Sequence, residues 1–171
     1  RVDWHPISLA YVMKHSGNRP PMMVPNKGRM QAQEVGQAKK MFNGEWIISI
    51  VLSKLTQWTV PMVQPPTFPF DTMQTQAFLR SVQDQSPEML ESLTEAFYSH
   101  AWGNGKTFSS AEDIRTLARP FFRQDESLLD KLVEECRTKE PRQRLSNEAQ
   151  ALVQNEGCFG TPYVLPSAAE H

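Results

Sequence analysis

The sequence predicts an α/β protein that is predominantly α, and three observations carry this. A strand-like run opens the chain: residues 1–9 (RVDWHPISL) alternate Val2 and Trp4 and then, past Pro6, Ile7 and Leu9. A second strand-like run, residues 163–165 (YVL), follows a Gly- and Pro-containing turn near the end. Between them, from Asp71 to about Gln154, apolar residues recur at helical spacing, interrupted only by capping residues, glycine and proline.

Residues 13–28 (MKHSGNRPPMMVPNKG) follow the first run and have neither helical nor strand periodicity. Pro20, Pro21 and Pro25 fix φ and remove donors, and Gly17 and Gly28 give freedom at each end. The expectation is a stiff, extended loop from which Asn18, Arg19 and Lys27 project. Such a loop suits holding a small anion, because little ordering entropy is lost on binding. Most loops only connect, so an ordinary connection is the competing reading.

Residues 31–42 read as a helix with Ala32, Val35, Ala38, Met41 and Phe42 on one face, weakened by Gly36. Residues 44–58 are ambiguous: Ile47, Ile48, Ile50 and Val51 suit a strand, while Leu52, Leu55 and Trp58 continue at helical spacing. Residues 60–69 carry prolines at 61, 65, 66 and 69 and read as an extended connector. Asp71 or Thr72 caps the next helix, with Met73, Ala77, Phe78 and Val82 inward. Ser86-Pro87 starts another, with Met89, Leu90, Leu93, Phe97 and Ala101 as its stripe and Gly103 and Gly105 at its end. Ser109 and Glu112 have capping-box spacing ahead of Ile114, Leu117 and Ala118, and Pro120 closes that helix. Asp125 opens the next, with Leu128, Leu129, Leu132, Val133 and Cys136 inward. Leu145, Ala149, Leu152 and Val153 mark the last, stopped by Gly157. Such stripes are core packing before they are anything else.

The net charge of −1 provides no field to recruit nucleic acid or an anionic membrane. The longest apolar run, residues 46–52, is too short to span a bilayer. Cys136 and Cys158 are too few for a disulfide framework and suggest a reducing compartment, and Cys136, on an apolar stripe, reads as an inert thiol. His5, His15, His100 and His171 are scattered, and no spacing suggests a metal site.

Residues 157–166 (GCFGTPYVLP) are the second informative stretch, with Thr161-Pro162 as a candidate cis bond before an apolar run. The residues 13–28 resemble the loop of the kappa-class glutathione transferases, M-K-x-S-G-N-K-P-P followed by P-x-K-G. GCFGTPYVLP resembles that family's G-x-F-G-x-P turn, the cis-proline turn of thioredoxin-like folds. SPEMLESLTEAFYSHAW and FPFDTMQTQAFLRSV resemble parts of its helical insertion. The resemblance is colinear over nearly the whole chain.

The resemblance implies an incomplete thioredoxin-like (DsbA-like) fold with a large all-helical inserted domain. Residues 1–70 would be a partial thioredoxin-like part, 71–156 the helical insertion, and 157–171 the cis-proline turn and following strand. The family's S-P-Y-S-like motif, whose serine contacts the glutathione sulfur, and its S-D turn have no counterpart here. Residues 44–58 look like additional sequence. The expectation is therefore a fragment or splice variant truncated at both ends, weak or inactive alone.

The activity the resemblance implies is attack of the glutathione thiolate on an electrophile, or on a peroxide oxygen. Asn18 and Lys27 would contact glutathione, Lys27 through the glycyl carboxylate, and Thr161, just before Pro162, would pair its backbone with the cysteinyl unit. Glutathione is the co-substrate, with no metal; the implied partners are small electrophiles or peroxides and a second copy in a dimer, in mitochondria or peroxisomes. Two other readings stand beside it. One is an enzyme similar to the 2-hydroxychromene-2-carboxylate isomerases. The other is a non-catalytic interaction protein that keeps the helical domain.

Overall fold

The structure is a computed structural model that describes residues 3–20, 23–42 and 63–165. Seven α-helices are numbered here among the described residues. They are α1 (Leu9–Ser16), α2 (Lys27–Phe42), α3 (Met73–Gln85), α4 (Leu90–Tyr98), α5 (Ala111–Ala118), α6 (Glu126–Arg137) and α7 (Glu140–Glu156). A 3-10 turn, Pro87–Met89, leads into α4, a wide π-type turn, Ser99–Gly103, extends it, and a second 3-10 turn, Arg119–Phe121, follows α5.

The stripes read from sequence form one core. Phe78, Leu93, Ile114, Phe122, Leu129, Leu132 and Leu145 are essentially inaccessible to solvent and belong to one cluster. Burying each such side chain contributes about 1.5–3 kcal/mol, which is why amphipathic helices with modest intrinsic propensity hold here. α3 lies at the centre, packed against both α6 and α7, and α5 packs on α6. Phe97 meets Phe108 edge-on at 5.0 Å, and Phe70 meets Phe108 at 5.3 Å, so ring quadrupoles as well as area hold the α3–α4 end.

A second, smaller cluster is made by Val12, Ala149 and Cys158, with Ile7, Tyr11, Leu152 and Val153 around it. Here α1 packs along α7. The 17-residue α7 thus belongs to both clusters, through Leu145 in the first and Ala149 in the second. Gly157 ends it in a left-handed conformation, φ 68°, which glycine adopts without a Cβ penalty.

Several expectations need correction. The run 1–9 is not a strand where it is described: residues 3–8 are irregular and Leu9 begins α1. Residues 163–165 are likewise irregular, and no strand occurs among the described residues. A strand exists only through a neighbour's ladder, and no described segment supplies one. The stretch 13–28 is not one extended loop: Met13 to Ser16 complete α1, and Lys27 and Gly28 begin α2. Leu9, Val12, Met13 and Ser16 share a helical face that a division at residue 13 conceals.

Smaller shifts have local causes. The capping box is Ser110 with Asp113, not Ser109 with Glu112; Ser110 Oγ accepts from Asp113 N, and Asp113 Oδ2 accepts from Ser110 N, both at 3.1 Å. That register buries Ile114 and Ala118. Asp71 rather than Thr72 supplies the side-chain acceptor at the start of α3, to Met73 N at 2.8 Å. α2 begins four residues before its predicted start, and Ala32 on it is exposed rather than inward. In the connector, Phe68 N donates to Pro65 O, closing a turn in what was expected to be extended, and Phe68–Pro69 is cis. The ambiguous run 44–58 lies outside the described residues. Asp125 caps α6 through Leu128 N at 2.9 Å, as its sequence predicts.

Candidate functional site

α1 ends at Gly17, whose φ of 70° reverses the chain and brings Asn18 against the turn that follows α7. Asn18 Nδ2 donates to Phe159 O at 2.8 Å, across 141 positions of sequence. Asn18 Oδ1 accepts from Arg19 N at 2.8 Å, and Asn18 N donates to Ser16 Oγ at 3.3 Å. The two stretches that the sequence singles out, 13–28 and 157–166, therefore meet through one side-chain amide.

The turn is fixed from below by Cys158, which is buried against Val12 and Ala149. Its N–H donates to Leu152 O at 3.3 Å and its Sγ lies 3.4 Å from Gly160 O as donor. A hydrogen bond of 3.2 Å joins His15 Nε2 and Ser146 Oγ, and Tyr163 Oη donates to Glu156 O. Thr161–Pro162 is cis, as the sequence suggested, and both residues are exposed.

Lys27 is exposed at the first position of α2, directly after Asn26, whose φ is 66°. No acidic residue occupies the first turn of that helix. A helix start carries partial positive charge from its unsatisfied N–H groups, so a lysine there adds to an anion-favouring field. The hydrogen bonds among the described residues join Asn18, not Lys27, to the 157–162 turn. Of the four residues assigned to glutathione by resemblance, the structure brings Asn18 to the segment that holds Thr161 and Pro162. Lys27 stands at the other end of the loop.

The remaining chemistry-bearing groups lie elsewhere. Burial pushes the Cys136 thiol up to about 11, so it stays protonated at neutral pH. Both cysteines are free. A cleft of about 520 Å3 opens on the helical part beside Gln74, Ser110, Arg115 and Arg137. Arg115 there pairs with Asp130, Arg137 with Glu134, and Ser110 closes its capping box, whereas the buried Oε1 of Gln74 has no hydrogen-bond partner. Among the described residues no helix is long and apolar enough to cross a membrane, and no group of three or more His, Cys, Asp or Glu could hold a metal ion.

Sequence reasoning did not find the Phe159 carbonyl, the His15–Ser146 bond or the anchoring of Cys158. Each joins positions distant in the chain, and no local pattern encodes them.

The family model of the DSBA-like thioredoxin domain matches residues 1–166. The chain belongs to that family. Its fold is the DsbA-like thioredoxin fold, predominantly helical in the described part. It is similar to "Glutathione S-transferase kappa 1" of Rattus norvegicus, 28% identical over 123 residues, which cover 69% of this chain and 47% of that protein. It is also similar to "Glutathione S-transferase kappa 1" of Caenorhabditis elegans, 24% identical over 140 residues, 78% of this chain and 55% of that protein. The kappa-class resemblance read from the two loops thus holds for this DsbA-like chain. The chain spans about half the length of the curated relatives it matches.

Proposed function

We propose that this chain binds glutathione in extended form between the 17–27 loop and the 157–162 turn, as part of a kappa-like glutathione transferase. The observation that carries this reading is the Asn18–Phe159 hydrogen bond, because it unites the two segments that the resemblance assigns to glutathione. In this reading Asn18, Lys27, Thr161 and Pro162 form the clamp. Lys27 and the start of α2 attract the glycyl carboxylate. The backbone of Thr161 pairs with the cysteinyl unit as an added strand would. The thiolate so oriented forms a bond to an electrophilic carbon, whose leaving group departs with the electron pair, or to a peroxide oxygen, whose O–O bond breaks to release an alkoxide or hydroxide while the sulfur is oxidised to a sulfenic acid. The quoted residues bind and orient. Residence in mitochondria or peroxisomes and dimerisation belong to the same proposal, and fractionation and sedimentation would test them.

The decisive experiment is glutathione binding by calorimetry and by retention on immobilised glutathione. Lys27→Ala should weaken binding about fivefold or more, in keeping with a charge-assisted contact that is partly solvated. Lys27→Arg should keep most of the affinity, and added salt should weaken the parent more than the alanine variant. Equal binding by the parent and Lys27→Ala would remove Lys27 from the site. Absence of binding by the parent would reject the reading.

A further inference from the structure

We infer that the side-chain amide of Gln83 is a proton-sensitive catch on the segment that leads into α1: it holds both Trp4 and His5 while His5 is neutral, and it can hold only one of them once His5 is protonated. Gln83 lies on α3, and its Nε2 donates to Trp4 O at 3.0 Å and lies 2.8 Å from His5 Nδ1. A backbone carbonyl only accepts, so Trp4 O fixes the nitrogen end of the amide against the segment. An amide nitrogen only donates, so His5 Nδ1 accepts, which requires a neutral ring with its proton on Nε2.

The other end of the amide supplies the second observation. Gln83 Oε1 is buried and has no hydrogen-bond partner among the described residues. An occluded acceptor left unpaired is costly, and a half-turn of the amide would offer it to a donor. Protonated His5 is such a donor, because a proton then sits on Nδ1. That half-turn takes Nε2 away from Trp4 O and sets two acceptors against each other there. Without it, two N–H groups face each other at His5. In either case one of the two bonds is lost.

Packing adds little at this end of the segment. The Trp4 side chain is largely exposed and His5 is exposed, whereas Ile7 packs on the small cluster and Ser8 is buried. The catch therefore governs residues 3–5, and mild acid releases Trp4 while the entry to α1 stays anchored. The charged groups around it are Asp3 on the same segment, Arg80 and Asp84 on α3, and Glu148 and Arg144 of α7, which pair with those two. Burial opposes the Asp84 charge, yet Arg80 and Arg144 hold its carboxyl below the ordinary 3.8, so it stays ionised where imidazole titrates.

The test uses the full 171-residue chain and compares His5→Asn, Gln83→Leu, Gln83→Glu and Asp3→Asn with the parent at about pH 8 and about pH 5. Nuclear magnetic resonance reads the protonation of the His5 ring nitrogens and the backbone amide shifts of Trp4 and His5. Gln83→Leu gives the released limit, and His5→Asn, whose Oδ1 replaces the Nδ1 acceptor, gives the held limit. From pH 8 to pH 5 the released-to-held ratio of the parent should rise about three- to tenfold, the effect of one neutral hydrogen bond. His5→Asn should show no such rise, and Asp3→Asn should keep it. Gln83→Glu should reverse it, released at pH 8 and held at pH 5, because a carboxylate accepts only from the protonated ring. A proton on Nδ1 of the neutral ring would overturn the inference. So would an unchanged ratio in the parent, an equal rise in His5→Asn, loss of the rise in Asp3→Asn, or an unreversed response in Gln83→Glu.

Discussion

Replacing Arg80 by Met tests how α3 is fastened to α7. The Arg80 side chain is only 13% exposed. Its Nε donates to both carboxylate oxygens of Glu148, at 3.0 and 3.1 Å, and Nη2 adds a bond to Oε1 at 2.9 Å. Nη1 donates to Asp84 Oδ1 at 2.6 Å, and Arg144 closes the group by pairing with both carboxylates. Burial opposes the guanidinium charge, yet the bonds to Glu148 and Asp84 outweigh it and raise its pKa. Methionine keeps the apolar stem and removes the four bonds that Arg80 donates, while the Arg144 pairings with Asp84 and Glu148 remain. A net charge-assisted bond is worth ~1.5–3 kcal/mol and an exposed pair ~0.2–1 kcal/mol. The two carboxylates are about a third exposed, so the loss should be about 2 kcal/mol, or about 4–8 °C in Tm for a domain of this size.

Urea unfolding followed by circular dichroism would measure this, with Glu148→Gln completing a double-mutant cycle. The pH dependence has a definite sign. Burial alone would raise the Asp84 carboxyl, but Arg80 and Arg144 hold it below its ordinary 3.8. A depressed carboxylate stabilises the fold above the unfolded value, and that contribution disappears as pH falls through the folded value. The parent's advantage over Arg80→Met should be full at neutral pH and shrink below about pH 4. A neutral-pH loss under about 0.5 kcal/mol, or an advantage that grows in acid, would refute the account.

Two other outcomes follow from the geometry. Gly105 has a φ of 64°, and a Cβ there would come within 2.8 Å of Val63 Cγ1, so Gly105→Ala should cost about 1–2 kcal/mol in urea unfolding. Adding Val63→Ala should relieve the crowding but leave the backbone cost. Cys136, with its thiol pushed up to about 11 and no solvent access, should resist iodoacetamide at pH 7.5 in the folded chain and react readily in urea, as mass spectrometry would show.

The helical part was legible because a helix encodes its buried face locally. Leu129, Leu132, Val133 and Cys136 had to share one side of α6, and all four are buried. The capping box was harder, since SSAED satisfies the spacing twice; only the burial of Ile114 and Ala118 selects Ser110 and Asp113. The terminal runs failed for a different reason. Alternation at Val2, Trp4, Ile7 and Leu9 describes a surface that a ladder could use, but a ladder partner is a tertiary fact. In the structure, Trp4 O is instead held by Gln83 Nε2 at 3.0 Å, and the Trp4 side chain is largely exposed. The site was legible only as two separate stretches. Residues 13–28 and 157–166 could each be marked by their prolines and glycines, but nothing local says that Asn18 meets Phe159.

α7 carries a consequence beyond packing. From Leu145 in the large cluster to Gly157 at the turn, the chain rises about 18 Å along a single helix. The turn is therefore indexed to the helical bundle by a count of residues. One residue inserted or deleted between Ala149, where α1 packs, and Gly157 would rotate the turn by about 100° around the helix axis relative to α1 and carry Phe159 O away from Asn18. The length of α7 is thus a phase setting for the candidate site. Side-chain substitutions along its exposed face leave that phase alone, whereas a single-residue insertion that preserves every side chain at the site would cancel it.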